Sequence, residues 1–146
     1  MAKLALEIAL RFIKFRPRSR FEVERKLNFK KIPPEEIHKT ISKLEKAGIL
    51  NDLEFAKMWV RDRNLLKPRG RKLLFLELRK LGVDEGICEK AIDEEDIPDL
   101  KKARIIVKNK MNLINNSSSN EVRKRIIGIL LRKGFTWETI NKVIHK

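Results

Sequence analysis

The sequence predicts an all-α protein built from three tandem three-helix repeats, nine helices in an elongated, curved array. Three observations carry that prediction. Helix breakers punctuate the chain at regular intervals, the segments between them show helical apolar spacing, and the same apolar positions return twice at a nearly fixed offset.

The breakers come first. Pro17, the Pro33–Pro34 pair, Gly48, Pro68 with Gly70, Gly82, Pro98, the run Asn115–Ser119 and Gly134 divide the chain. The segments between them are rich in Leu, Ile, Lys, Glu and Arg, which are good helix formers. Apolar residues recur at three and four, as in Phe55, Met58 and Trp59, and no segment alternates like a strand. Several segments open with capping chemistry: Ser19 precedes Glu22 by three, Asn51 precedes Glu54 and Ser118 precedes Glu121. Pro34 suits a first helical turn, where its missing donor would be unpaired anyway. The start, from Met1 to Leu10, is apolar but carries Glu7 and runs into Arg11 and Lys14, which reads as an amphipathic helix rather than a signal peptide.

The repeat is visible residue by residue. Val23, Leu27, Ile32, Ile37, Thr40 and Ile41 meet Leu74, Leu78, Val83, Cys88, Ala91 and Ile92 at an offset of 51. A further 52 leads to Ile126, Leu130, Phe135, Ile140, Val143 and Ile144. In the first helices, Ala5 and Ala9 match Ala56 and Val60, and Leu53, Ala56, Val60 and Arg63 match Leu100, Ala103, Val107 and Lys110. Amphipathic helices alone would share a period, but not this spacing across two helices and a turn. The units are placed at residues 1–51, 52–97 and 98–146. A unit of about 50 residues has a thin core, so stacked neighbours must share burial.

Charge narrows the function classes. Lys and Arg total 35 and Asp and Glu 20, a net charge of +15. A heat-stable surface explains many charges but not that imbalance, so a polyanionic partner is expected. The longest apolar runs are far below the roughly 20 residues of a membrane span. Cys88 is the single cysteine, which excludes an internal disulfide and fits a reducing cytoplasm.

The catalytic inventory is poor. His38 and His145 have no ligand-spaced partners, and Pro68–Lys72 lacks the second glycine of a phosphate loop. No catalytic residue, cofactor or metal is expected. Asp93, Glu94, Glu95 and Asp96 could bind Mg²⁺ but read better as a solvated linker. Cys88 aligns with Ile37 and Ile140, so it reads as core. Trp59 and Trp137 read as core or inter-unit packing rather than base-stacking platforms, and Phe21 as a hydrophobic staple.

Cations gather at one place in each unit: the second helix and the loop ahead of it. Unit 1 has Arg16, Arg18, Arg20, Arg25 and Lys26 there. Unit 2 has Arg63, Lys67, Arg69, Arg71, Lys72, Arg79 and Lys80. Unit 3 has Arg123, Lys124, Arg125, Arg132 and Lys133. Charge runs are usually solvated helix faces, but recurrence at one position of a repeat points to a shared ligand. Arginine dominates the loops of units 1 and 2, and its planar fork suits phosphate and carboxylate.

At these residues the chain resembles the RecX family of bacterial recombination regulators. The resemblance runs through Arg16-Pro-Arg-Ser-Arg-Phe-Glu-Val-Glu-Arg-Lys-Leu27, Leu44-Glu-Lys-Ala-Gly-Ile-Leu-Asn-Asp-Leu-Glu-Phe-Ala56, Trp59-Val-Arg-Asp-Arg63, Gly70-Arg-Lys-Leu-Leu-Phe-Leu-Glu-Leu-Arg-Lys-Leu-Gly-Val83 and Leu130-Leu-Arg-Lys-Gly-Phe135. It implies a cytoplasmic protein of three three-helix repeats, and the chain itself is expected to act as a monomer. Such a protein lodges in the groove of the RecA–single-stranded DNA filament and inhibits strand exchange and the coupled ATP hydrolysis, or blocks filament extension. It also implies binding to single-stranded DNA, with double-stranded DNA as a further ligand, and roles in DNA repair and the SOS response. Two departures stand out: Asn51 replaces the first Asp of a usual Asp-Asp pair, and Trp59 takes a place where Tyr is common. The rivals are a stand-alone DNA-binding helical module, a nuclease using Asp93–Asp96, and a scaffold whose charge serves only solubility.

Overall fold

The computed structural model describes residues 2–111 and 119–144. Within them lie nine helices and no strand: α1 (Ala2–Phe15), α2 (Arg20–Phe29), α3 (Pro34–Lys46), α4 (Asp52–Leu66), α5 (Arg71–Lys80), α6 (Glu85–Glu95), α7 (Asp99–Met111), α8 (Ser119–Arg132) and α9 (Trp137–Ile144). The helix starts follow the local chemistry. Ser19 Oγ accepts the Glu22 N–H at 3.2 Å, and Glu22 Oε1 accepts the Ser19 N–H at 3.0 Å, closing a capping box. Asn51 Oδ1 accepts the Glu54 N–H at 3.2 Å, and Pro34 occupies the first position of α3. The expected cap at Ser118 lies outside the described residues, as does His145.

The helices that pack against one another do so within triplets: α1–α2–α3, α4–α5–α6 and α7–α8–α9. Each triplet has its own core. The first runs from Ala5 to Leu50, the second from Phe55 to Ile92 and the third from Ala103 to Ile140. The positions matched in the sequence form these cores. Leu27, Leu78 and Leu130 are all fully buried, and so are Ala5, Ala56 and Ala103, whose small side chains let the first helix approach its partners. Val143 and Ile144, near the chain end, are only half-buried.

The second helices end alike. Lys31, Gly82 and Gly134 take left-handed backbone angles of 61°, 83° and 85°. At each, this residue's N–H returns to Asn28, Arg79 or Leu131, and the next N–H to Leu27, Leu78 or Leu130.

Those same ends join the units. The Ser19 hydroxyl, at the start of α2, donates to the Leu81 carbonyl at the end of α5 at 2.6 Å. One unit on, the Gly70 N–H at the start of α5 donates to the Lys133 carbonyl at the end of α8 at 2.7 Å. A Cβ on Gly82 would fall inside the Phe21 side chain, and one on Gly134 would lie 2.6 Å from Leu73 Cβ. The three second helices are thus linked end to end, start of one to end of the next. Each joint has a second fastening. Asp52 Oδ1 accepts the Arg20 N–H at 2.8 Å, and Asp99 Oδ1 accepts the Arg71 N–H at 3.0 Å. The first helix of each following unit therefore caps the second helix of the unit before it.

Candidate polyanion-binding surface

The joints place the predicted cations in two populations. The first is spent on the fold. Arg16 pairs with Glu22 and donates to the Pro17 carbonyl at 2.9 Å. Arg18 lies 3.8 Å from the Phe12 ring centroid, donates Nε to the Phe12 carbonyl at 3.1 Å and has a side chain only 14% exposed. Burial and the charge of Arg16 pull its pKa below the ordinary value, against the opposing pull of Glu22. Arg20 pairs with Glu24 at 2.9 Å and Glu45 at 3.5 Å. Arg63 sits 4.0 Å over the Trp59 ring, Arg69 pairs with Glu77, and Arg71 pairs with Asp93 at 2.6 Å. Arg18 and Arg69, equivalent at an offset of 51, both brace the loop ahead of a second helix; Arg69 Nε donates to the Lys67 carbonyl at 3.0 Å.

The second population faces solvent. Arg25, Lys67, Lys72, Lys124, Arg125 and Arg132 are exposed and take part in no ion pair among the described residues. Arg25 lies 5.6 Å from the Phe21 ring centroid, and Arg123 is exposed. Lys133 is half-buried; burial, then the charges of Arg69, Lys110 and Lys67, pull its pKa down. Three of the six without an ion pair, Lys124, Arg125 and Arg132, belong to unit 3. Residues 100–146 contain 12 basic and 2 acidic side chains, against 10 and 12 in residues 52–99.

Three expectations need correction. The acidic run is not a solvated linker. Asp93 pairs with Arg71 at 2.6 Å, Glu94 with Lys57 at 2.7 Å and Glu95 with Arg61 at 3.0 Å, while Asp96 is buried against Lys102 at 2.8 Å. Each of these carboxylates already has a cation, which leaves little for Mg²⁺. Trp137 is not packed: it is 56% exposed at the first position of α9, ahead of the buried Ile140. Phe21 is no staple either. It is the second residue of α2, not the residue before the cap, and it lies across the first joint over Gly82. Trp59 does pack, 6.1 Å from Phe55, with Nε1 donating to Glu77 at 3.1 Å.

Sequence reasoning missed two features. Nothing in the sequence reading singled out Lys102, Asp52 or Asp99, although Asp52 and Asp99 share one register of the repeat. Phe15 and Leu66 end α1 and α4 and are 82% and 73% exposed, each directly before a basic Pro-containing loop. The signal was available: Phe15–Arg20 matches Leu66–Arg71 at an offset of 51.

No group of His, Cys, Asp and Glu side chains that could hold a metal ion occurs among the described residues. Cys88 is fully buried, and burial pushes its thiol up to about 11, which keeps it protonated and inert. No helix of the described residues is long and apolar enough to cross a membrane. Helical units, end-linked basic helices and solvent-facing cations define an all-helical repeat protein with a basic surface.

The chain belongs to the RecX family. The family's first three-helix domain matches residues 5–44, its second residues 51–92 and its third residues 98–144. Regulatory protein RecX of Amycolatopsis mediterranei is 32% identical over 134 residues, covering 91% of this chain and 77% of that protein. The protein of the same name from Prosthecochloris aestuarii is 31% identical over 142 residues, covering 97% and 92%. The crystal structure of RecX from Lactobacillus salivarius superposes with a TM-score of 0.83 at 28% identity, covering 99% of this chain and 94% of that one. Family membership supports a regulatory role for this chain.

Proposed function

We propose that the chain regulates the RecA recombinase by binding the RecA–single-stranded DNA filament and inhibiting its ATP hydrolysis and strand exchange. The observation that carries this reading, together with the family, is the end-to-end linkage of three basic second helices. Each of the three helices carries exposed cations, Arg25, Lys72 and the Lys124–Arg125 pair, which a ligand running along the array would meet in turn. Each contact is weak alone, and affinity comes from several units binding at once. The units are those at residues 1–51, 52–97 and 98–146, and the protein acts as a cytoplasmic monomer. Bound in the filament, it bars the second DNA strand and disfavours the subunit motions that accompany ATP turnover. The reading assigns no chemistry to the chain itself.

The test is RecA ATPase on single-stranded DNA with and without the protein, using a cognate RecA. Inhibition at near-stoichiometric amounts is expected, and its absence removes the mechanism. The net charge of +15 favours a second reading, a stand-alone DNA-binding module. Binding that rests on phosphates alone weakens steeply with salt, whereas filament binding survives better.

A further inference from the structure

Leu4, Ile8, Phe12 and Phe15 stand four, four and three apart, in one row along α1. They line a groove of about 450 Å³ between α1 and α2. Leu4 is 49% exposed and Phe15 82%, while Ile8 and Phe12 are half-buried. The same groove is basic: Arg11, Arg18, Lys26 and Lys30 line it, against a single carboxylate, Glu7. The Arg18 guanidinium lies 3.8 Å from the Phe12 ring centroid, and Lys26 Nζ lies 5.3 Å from it. Arg18 shares Glu22 with Arg16. Arg11, Lys26 and Lys30 have no ion pair among the described residues.

The same register is covered in the other two units. Leu4 corresponds to Phe55 in unit 2 and to Lys102 in unit 3. Phe55 is 5% exposed and shares a cleft with Arg16 and Pro17 of the unit 1 loop. Lys102 is fully buried, and its Nζ donates to the Arg69 carbonyl in the unit 2 loop at 2.6 Å. Each of these two faces thus receives the loop ahead of a second helix from the unit before it. Unit 2 also supplies its own carboxylate: Glu77 pairs with Arg69 and accepts the Trp59 Nε1–H at 3.1 Å. The equivalent of Glu77 in unit 1 is Lys26, and that of Arg69 is Arg18. Among the described residues, the α1 face therefore keeps the apolar row and the arginine but lacks both the covering loop and the acid. An uncovered face of a repeat array is polar as a rule, and this one is not.

We propose that the groove between α1 and α2 docks an acidic amphipathic helix of a partner protein. Its apolar side chains lie along the row from Leu4 to Phe15, and its carboxylates lie beside Arg11, Lys26 and Lys30. Recognition of a helix in a groove uses apolar anchors at this spacing. The row is about three helical turns long, enough for such a segment to lie along it. Charge complementarity selects the occupant. A second copy of this chain carries +15 and would bring cations to cations. A nucleic acid brings phosphates but no apolar side chains for the row. A carboxylate of the partner takes the place at Lys26 that Glu77 holds in unit 2. This inference goes beyond the function proposed above and rests on neither its recombinase part nor its DNA part.

The probe is a fluorescein-labelled peptide of about 16 residues, with leucines spaced to match the row and glutamates flanking them. A scrambled peptide of the same composition is the comparison. Fluorescence anisotropy is read on the full chain, on Leu4→Ser and Lys30→Glu, and on two controls outside the groove, Leu66→Ser and Lys39→Glu. All four residues are exposed, and melting curves check that each variant is folded. The patterned peptide is expected to bind about tenfold or more tightly than the scrambled one. Leu4→Ser and Lys30→Glu should each weaken it about fivefold or more beyond the controls. Equal binding of the two peptides, or binding of neither, overturns the site, and so does an equal loss in test variants and controls. Self-association of the chain in sedimentation that Leu4→Ser abolishes overturns the acidic partner in favour of a second copy. None of these results bears on inhibition of RecA ATPase, so the two readings fail separately.

Discussion

Lys102 Nζ lies 2.8 Å from Asp96 Oδ1, with the two side chains 0% and 6% exposed. The pair crosses from α7 to the end of α6, and Nζ also donates to the Arg69 carbonyl at 2.6 Å. Asp96 further accepts the Asn64 side-chain N–H at 2.8 Å and the Ile97 N–H at 3.0 Å. Lys102→Met removes the countercharge and leaves a buried carboxylate, a loss of about 3–5 kcal/mol in urea denaturation. Adding Asp96→Asn should recover much of that loss, since the equivalent of Lys102 in unit 2 is the buried apolar Phe55. A double variant as unstable as the sum of both single ones would contradict this account of the joint.

Gly82 and Gly134 are needed twice, for a left-handed backbone and for the close approach of Phe21 and Leu73. Lys31 holds the same left-handed position at the end of α2, where its side chain is exposed. Lys31→Gly should therefore stabilise the protein by about 1 kcal/mol. Gly82→Ala and Gly134→Ala should each destabilise by about 2 kcal/mol or more, from backbone and clash together. Thermal melts of the three variants read these opposite signs.

Asp52 works as a cap, and its charge is a liability. Burial raises its carboxyl pKa, the Arg20 N–H opposes that, and Glu45 raises it again. A raised carboxyl favours folding most below the unfolded-state range, and that contribution is lost as pH rises through the raised value. Asp52→Asn keeps the acceptor for Arg20 and should be neutral or stabilising at pH 7, with a flatter pH profile between about pH 3 and 6. Asp52→Ala loses the cap and should cost about 1 kcal/mol. Denaturation at pH 4 and 7 separates the two.

The two cation populations separate stability from binding. Arg18→Ala removes a side chain packed on Phe12 and should lower stability by about 1–2 kcal/mol. Reversing Lys124 and Arg125 to Glu should change stability by about 0.5 kcal/mol or less while sharply weakening oligonucleotide binding. Melting curves and anisotropy on the same samples check both halves.

The fold was legible because a repeat reads the same core three times: Leu27, Leu78 and Leu130 needed no structure to be matched. The site was legible only in outline. Spacing located the basic segments but not which arginines would be consumed by carboxylates, although Arg18 with Glu22 and Arg20 with Glu24 stand four apart. Asp96 looked solvated because a local run of acids says nothing of Lys102 arriving from the next unit. The joints were invisible for the same reason: they are made where residues about 60 positions apart meet, as Ser19 and Leu81 do.

The most direct test of the account is co-sedimentation of the protein with a RecA–single-stranded DNA filament and with bare single-stranded DNA of the same length, at physiological salt. The account predicts stronger retention on the filament, reduced when Lys124 and Arg125 are reversed to Glu. Equal or weaker retention on the filament than on bare DNA would contradict it.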